Sequence, residues 1–158
     1  MTTRVRSLPE EVQALYARYA ALLDNGDYDS WVELFAEDCL YVVQPRENYE
    51  AGLPLATMRL ESKGMLKDRI YGIRETLYHD PYYQRHLLSL PLIKDSQDLV
   101  EVEMNYLIIR TKPDQLSDIL NAGRYVDTLA ETPDGLLFTT KRCIFDTELI
   151  PNSLIYPI

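Results

Sequence analysis

Cysteine and histidine are both scarce, with two of each in 158 residues. Cys39 and Cys143 stand far apart and outside any C-x-H or C-x-x-H spacing. That excludes a disulfide framework and reads as two buried free thiols in a reducing compartment. Positive charge is also short, 16 Lys and Arg against 25 Asp and Glu, for a formal net charge of −9. A chain so acidic lacks the basic face that nucleic acid or an anionic membrane surface requires. No apolar run approaches the roughly 20 residues that span a bilayer. The opening stretch MTTRVRSLPEE has no apolar h-region, so the expected location is the cytoplasm. Serine-hydrolase elbows, P-loops and dinucleotide fingerprints are absent; Gly64, Gly72 and Gly123 are isolated.

Tyrosine is abundant instead, at 12 residues, and apolar residues make up 46% of the chain. That is enough for one domain, 1–158, around one core. Tyrosine suits places where a ring is buried and its hydroxyl is met, which describes subunit interfaces and Tyr-rich sheets alike.

Local signals order the elements. Ser7, Pro9 and Glu10 fit a capping box with Pro in the first turn. Val12, Leu15, Tyr16, Tyr19, Leu22 and Leu23 then recur at helical spacing up to Asp24-Asn25-Gly26. A short second helix, capped by Asp27 or Asp29, buries Trp31, Leu34 and Phe35, and 39–44 reads as a strand. Residues 45–61 carry Pro45, Gly52 and Pro54 and read as irregular. A third helix is expected over 62–76, with Met65, Leu66, Ile70, Ile73 and Leu77 as its stripe. Strands follow at about 85–94, 98–111, 117–131 and 136–148. Lys112-Pro113-Asp114 and Thr132-Pro133-Asp134-Gly135 are the turns that make the last three an antiparallel meander. Strands this long must coil and carry bulges. From Tyr106 to Ile109 both faces of one strand are apolar, so either a partner or the last segment of the chain must cover the outer one. The order α-α-β-α-β-β-β-β is an α+β arrangement with helices on one face of a curved antiparallel sheet. This cone resembles nuclear-transport-factor-2-like (cystatin-like) folds.

Chemistry has few places to reside. A Rieske cluster takes two histidines and two cysteines, and a mononuclear non-haem iron takes two more histidines and a carboxylate. His79 and His86 cannot serve both. His86 reads as a hydrogen-bonded structural residue at a strand start, and His79 as an exposed loop residue. A self-contained acid–base pocket would draw on His86, Tyr125 or Asp127. Asn121, Arg124 and Arg142 are read as interior strand positions, which favours a filled, paired interior over an open pocket. Three segments look built for contact: 46–59 with Arg46 and Tyr49; 69–75 with Arg69, Tyr71, Arg74 and Glu75; and the last segment with Leu154 and Tyr156. Arg and Tyr together mark interfaces. Arg85 and His86 join this set. The apolar last segment, broken by two prolines, should dock in extended form.

The segments LDNGDYDSWVELFAEDCLYVV, RENYEAGLPLATM, MLKDRIYGIRET, RHLLS, NYLIIRT, AGRYVDTL and NSLIYPI, in that order along nearly the whole chain, resemble the small (β) subunit of bacterial aromatic-ring-hydroxylating dioxygenases. The resemblance implies a mainly structural subunit with no catalytic, cofactor or metal residues of its own. It implies an α3β3 heterohexamer in which the large (α) subunit carries the Rieske [2Fe-2S] cluster and the mononuclear iron. Electrons would come from NAD(P)H through a reductase and a ferredoxin. The wording of RENYEAGLPLATM and NSLIYPI resembles relatives acting on aromatic acids, implying salicylate hydroxylated to gentisate, with anthranilate- or benzoate-like substrates as the other members of the class. The reading that competes with this one is a stand-alone isomerase or dehydratase of the same fold.

Overall fold

The computed structural model describes residues 7–95, 98–149 and 153–158. Helix α1 (Leu8–Asp24) begins where Ser7 meets Glu10, whose carboxylate accepts from the Ser7 N–H at 2.8 Å and hydroxyl at 3.0 Å. It buries Val12, Leu15, Tyr16, Tyr19 and Leu23. Helix α2 (Tyr28–Val32) is capped by Asp27, which accepts from the Ser30 N–H at 3.2 Å. Strand β1 (Phe35–Pro45) starts earlier than the apolar run suggests, because an irregularity between Phe35 and Leu40 lets Phe35 pair as well.

Residues 45–61 are more regular than expected. They hold helix α3 (Arg46–Glu50) and strand β2 (Met58–Leu60), which pairs antiparallel to β1. Pro45 supplies the extended residue before α3, and Gly52 takes φ +67 after it. The third expected helix is α4 (Lys63–Tyr71), capped by Ser62 and continued as a π-helical turn over Gly72–Thr76. Of its stripe, Leu66, Ile70 and Ile73 are buried, while Met65 and Leu77 are left over a third exposed. Strands β3 (Tyr83–Leu88) and β4 (Leu92–Asp95) divide the expected single strand, and both pair with β5 (Val100–Thr111). Strands β6 (Asp118–Thr132) and β7 (Gly135–Phe145) complete the antiparallel meander.

The order across the sheet is β2-β1-β7-β6-β5-β3, with β4 beside β5 and, among the described residues, only β1–β7 parallel. Helices α1, α2 and α4 pack over the inner face. There, Trp31, Tyr16, Tyr19, Tyr41, Tyr125, Phe35 and Phe138 are the largest fully buried side chains. Ring pairs tie them together at centroid separations from 4.9 Å (Trp31–Phe35) to 6.5 Å (Tyr19–Phe35). Gly123 is obligatory: a Cβ there would lie 1.9 Å from the Ile144 carbonyl oxygen on the neighbouring strand.

A bulge in β7 decides which of its side chains enter the core. Thr128 pairs with Thr140 but Leu129 with Phe138, which leaves Thr139 as the extra residue on β7. Its hydroxyl donates to the Thr128 carbonyl at 3.0 Å. Leu136 and Phe138 face inward before the bulge; after it Lys141, Cys143 and Phe145 do. Arg142, expected inside, is therefore outside. Arg124 is outside as well, because Gly123 and Tyr125 hold the inner register against Tyr106 and Met104. Asn121 is interior as expected, and accepts from the Tyr106 hydroxyl at 2.6 Å.

Candidate functional site

The inward cation is Lys141. Its side chain and that of Asp127 are both fully excluded from solvent, with Nζ 3.1 Å from Oδ2. Asp127 also accepts from the Tyr16 hydroxyl and from the Arg142 backbone N–H at 3.0 Å. The ammonium lies 2.8 Å over the Tyr125 ring centroid and 4.9 Å from that of Tyr19. Burial pushes the Asp127 carboxyl up against the opposing pull of Lys141, and pushes the Lys141 ammonium down against Asp127. Neither group reaches solvent, so the pair binds the sheet to α1 and is closed to a substrate.

A second polar cluster lies beside it. The Ile158 main-chain oxygen accepts from Tyr19 at 2.5 Å, Tyr41 at 3.0 Å and Cys143 Sγ at 3.3 Å, and the Ile158 N–H donates to the Tyr41 hydroxyl at 2.9 Å. Burial pushes the Cys143 thiol up to about 12, and raises Tyr19 and Tyr41 well above their ordinary values. A thiol in that state is no nucleophile at neutral pH. The last segment docks in extended form on its own domain. Arg69 Nη2 donates to the Leu154 and Ile155 carbonyls, both at 2.8 Å, and Gln84 donates to the Pro157 carbonyl at 3.1 Å. Residues 150–152 of that segment lie outside the described residues.

The histidines are apart in role. His86 Nδ1 lies 2.6 Å from Asp24, whose two oxygens also accept the His86 N–H at 3.1 Å, fastening β3 to the end of α1. Its side chain is wholly buried. His79 is half-buried, where exposure was expected, because Nε2 meets the Tyr156 hydroxyl at 2.8 Å. Among the described residues no group of three or more His, Cys, Asp or Glu side chains is placed to hold a metal. The donor set here does not fit a Rieske cluster or a mononuclear iron.

Of the residues read as contact positions, Arg46 pairs with Glu50 at 2.8 Å and Asp146 at 3.5 Å. Tyr49 lies under Arg124, 5.6 Å from guanidinium carbon to ring centroid. Arg74 straddles Asp29, with both oxygens at 3.0 Å, while Tyr71, Glu75 and Arg85 stay exposed. Leu154 and Tyr156 are half-buried; the Tyr156 ring stacks on Tyr28 at 5.9 Å and lies 4.6 Å from Tyr82. The outer sheet face, which the apolar run Tyr106–Ile109 already marked as needing cover, carries the cross-strand rows Leu87–Leu107–Ala122 and Arg85–Ile109–Ile119. Leu87 is 47% exposed there and Ile119 65%. The last segment, held on the inner side, does not cover these rows.

The cone with a polar-capped aromatic interior defines an α+β protein of the nuclear-transport-factor-2-like, cystatin-like class. A crystal structure of an NTF2-like protein from Novosphingobium aromaticivorans superposes with a TM-score of 0.67 at 20% identity, covering 89% of this chain and 82% of that one. The particular family follows from closer likenesses. Residues 18–152 match the family model described as ring hydroxylating beta subunit. The anthranilate 1,2-dioxygenase small subunit of Burkholderia cepacia is 35% identical over 149 residues, 94% of this chain and 92% of that protein. A Comamonas terephthalate 1,2-dioxygenase terminal oxygenase β subunit is 27% identical over 92% of this chain and 94% of its own length. A crystal structure described as the β subunit of an aromatic-ring-hydroxylating dioxygenase from Novosphingobium aromaticivorans gives a TM-score of 0.86 at 35% identity, covering 95% and 96% of the two chains. This chain belongs to the ring-hydroxylating β-subunit family, and is thus a subunit of an oxidoreductase complex.

Proposed function

We propose that this chain is the architectural small subunit of a cytoplasmic Rieske non-haem iron oxygenase acting on an aromatic acid. The observation that carries the reading is the fate of the acid–base side chains. Asp127, Lys141 and His86 are each fully buried and each committed to a structural partner, while the chain belongs to a family of β subunits. As a single domain, 1–158, it would assemble with a large subunit in an α3β3 heterohexamer. The large subunit would hold the Rieske [2Fe-2S] cluster and the mononuclear iron, which together supply electron entry and oxygen activation. NAD(P)H would serve through a reductase and a ferredoxin. The exposed rows around Leu87 and Ile119, flanked by Arg85, are the surface that subunit packing would bury. Arg46, Tyr71, Arg74 and Glu75 are further contact positions.

The substrate class rests on relatives named for anthranilate and terephthalate, both aromatic carboxylates. Within it, salicylate hydroxylated to gentisate is the reading that the sequence segments favour. The test is co-expression with the large subunit and assay on salicylate, anthranilate and benzoate. The expected result is a stable complex that turns over an aromatic acid, and a lone chain that binds no iron and turns over nothing. Hydroxylation or isomerisation by the lone chain would refute it, as would failure of any large subunit to co-purify.

A further inference from the structure

We infer that loop 51–55 of one copy of this chain seats in a groove on the outer sheet face of a second copy. The loop, Ala-Gly-Leu-Pro-Leu, follows α3 and is exposed along its whole length, Leu53 at 52% and Leu55 at 72%. It is held in one shape all the same. The Leu53 N–H donates to the Asn48 carbonyl at 2.8 Å, the Asn48 side chain donates to the Leu55 carbonyl at 3.1 Å, and the Thr57 N–H donates to the Val43 carbonyl at 2.8 Å. Gly52, at φ +67, makes the turn between α3 and the two leucines. An apolar knob fixed in advance loses little freedom on docking, and docking takes its leucines out of water. Both ends are tied to β1, and none of its residues lines the groove of its own copy.

The groove runs across β4, β5, β6 and β7. Its floor is the cross-strand rows Leu92–Glu103–Val126 and Lys94–Glu101–Thr128–Thr140, with Arg142 on the β7 side. Its volume is about 370 Å³, within the roughly 300–1,000 Å³ of clefts that take a guest. Leu92 stands 72% exposed in it. Charge then selects the occupant. Among the described residues neither Lys94 nor Arg142 has a carboxylate partner, and Glu47, one helical turn before the knob, has no cation. Glu101 and Glu103 turn an incoming carboxylate away from the β5 side and toward Arg142. A second copy therefore brings both the leucines that the groove would bury and the carboxylate that its free cations lack. The contact needs no large subunit, so it goes beyond the assignment of the oxygenase complex and is tested apart from it.

The test is sedimentation equilibrium of the full chain by itself. The unaltered chain should self-associate. Leu55→Asp in the knob and Leu92→Asp in the groove should each raise the dissociation constant at least about tenfold, the scale of one buried leucine contact. Mixing the two variants should restore association, because an intact knob then meets an intact groove. A monomeric unaltered chain would overturn the proposal. So would a variant that associates like the unaltered chain, or a mixture that associates no better than its components. Should a variant fail to fold, hydrogen exchange on the unaltered chain decides. Raising its concentration must slow exchange in both 51–55 and 92–94; slowing in neither, or in only one, refutes the contact.

Discussion

Breaking the Lys141–Asp127 pair from either side tests the account of the core most directly. Both side chains are fully buried at 3.1 Å, so removing one strands the other in an apolar interior. Such truncations cost about 3–5 kcal/mol, most of it the stranded charge. That is a large share of the roughly 5–15 kcal/mol that stabilises a domain. Asp127→Asn leaves Lys141 with its ammonium pushed down by burial and no carboxylate to oppose the shift. The folded state then binds fewer protons than the unfolded one over the window below lysine's ordinary pKa. Stability should therefore rise as pH rises through that window. Lys141→Met does the reverse. The Asp127 carboxyl, pushed up by burial, binds more protons folded than unfolded above aspartate's ordinary pKa, so stability should rise as pH falls toward that value. The double variant removes both charges and should recover most of the loss, since apolar replacement of a buried pair is often neutral. Urea unfolding of the four proteins at several pH values supplies the measurement. Single variants as stable as the parent would refute the reasoning, as would pH slopes of the same sign or a double variant showing the sum of both losses.

Gly123→Ala should separate β6 from β7, since its Cβ would meet the Ile144 carbonyl oxygen; the expected loss is at least about 1–3 kcal/mol, read as a lower urea midpoint, and a parent-like midpoint would contradict the register. Arg74→Ala removes an exposed pair with Asp29 and should leave the urea midpoint unchanged, while weakening co-purification with the large subunit if the α4 surface is buried in the complex. An Ile119→Lys substitution on the outer sheet face, where the side chain is 65% exposed, should fold normally but lower the sedimentation coefficient of the assembled complex. An unchanged coefficient would remove that face from the interface.

What the sequence determined by itself is local. The Ser7–Glu10 cap, the stripe from Val12 to Leu23, and the Pro133-Asp134-Gly135 turn all act within a few residues, and each stands where its chemistry predicts. The histidine and cysteine counts bounded the possible metal chemistry in the same way, because ligand number needs no coordinates. Which side chains share the interior was decided by tertiary structure. Alternation counted forward from Leu136 and Phe138 puts Thr140 and Arg142 inside; counted back from Phe145 and Cys143 it puts Lys141 there. Only the position of the Thr139 bulge selects between them, and a one-residue slip moves every following side chain to the other face. The parallel pairing of β1 with β7, and the seating of Ile158 on Tyr19 and Tyr41, join residues a hundred or more positions apart. No local pattern encodes such contacts, since their free energy exists only once the chain between them has folded.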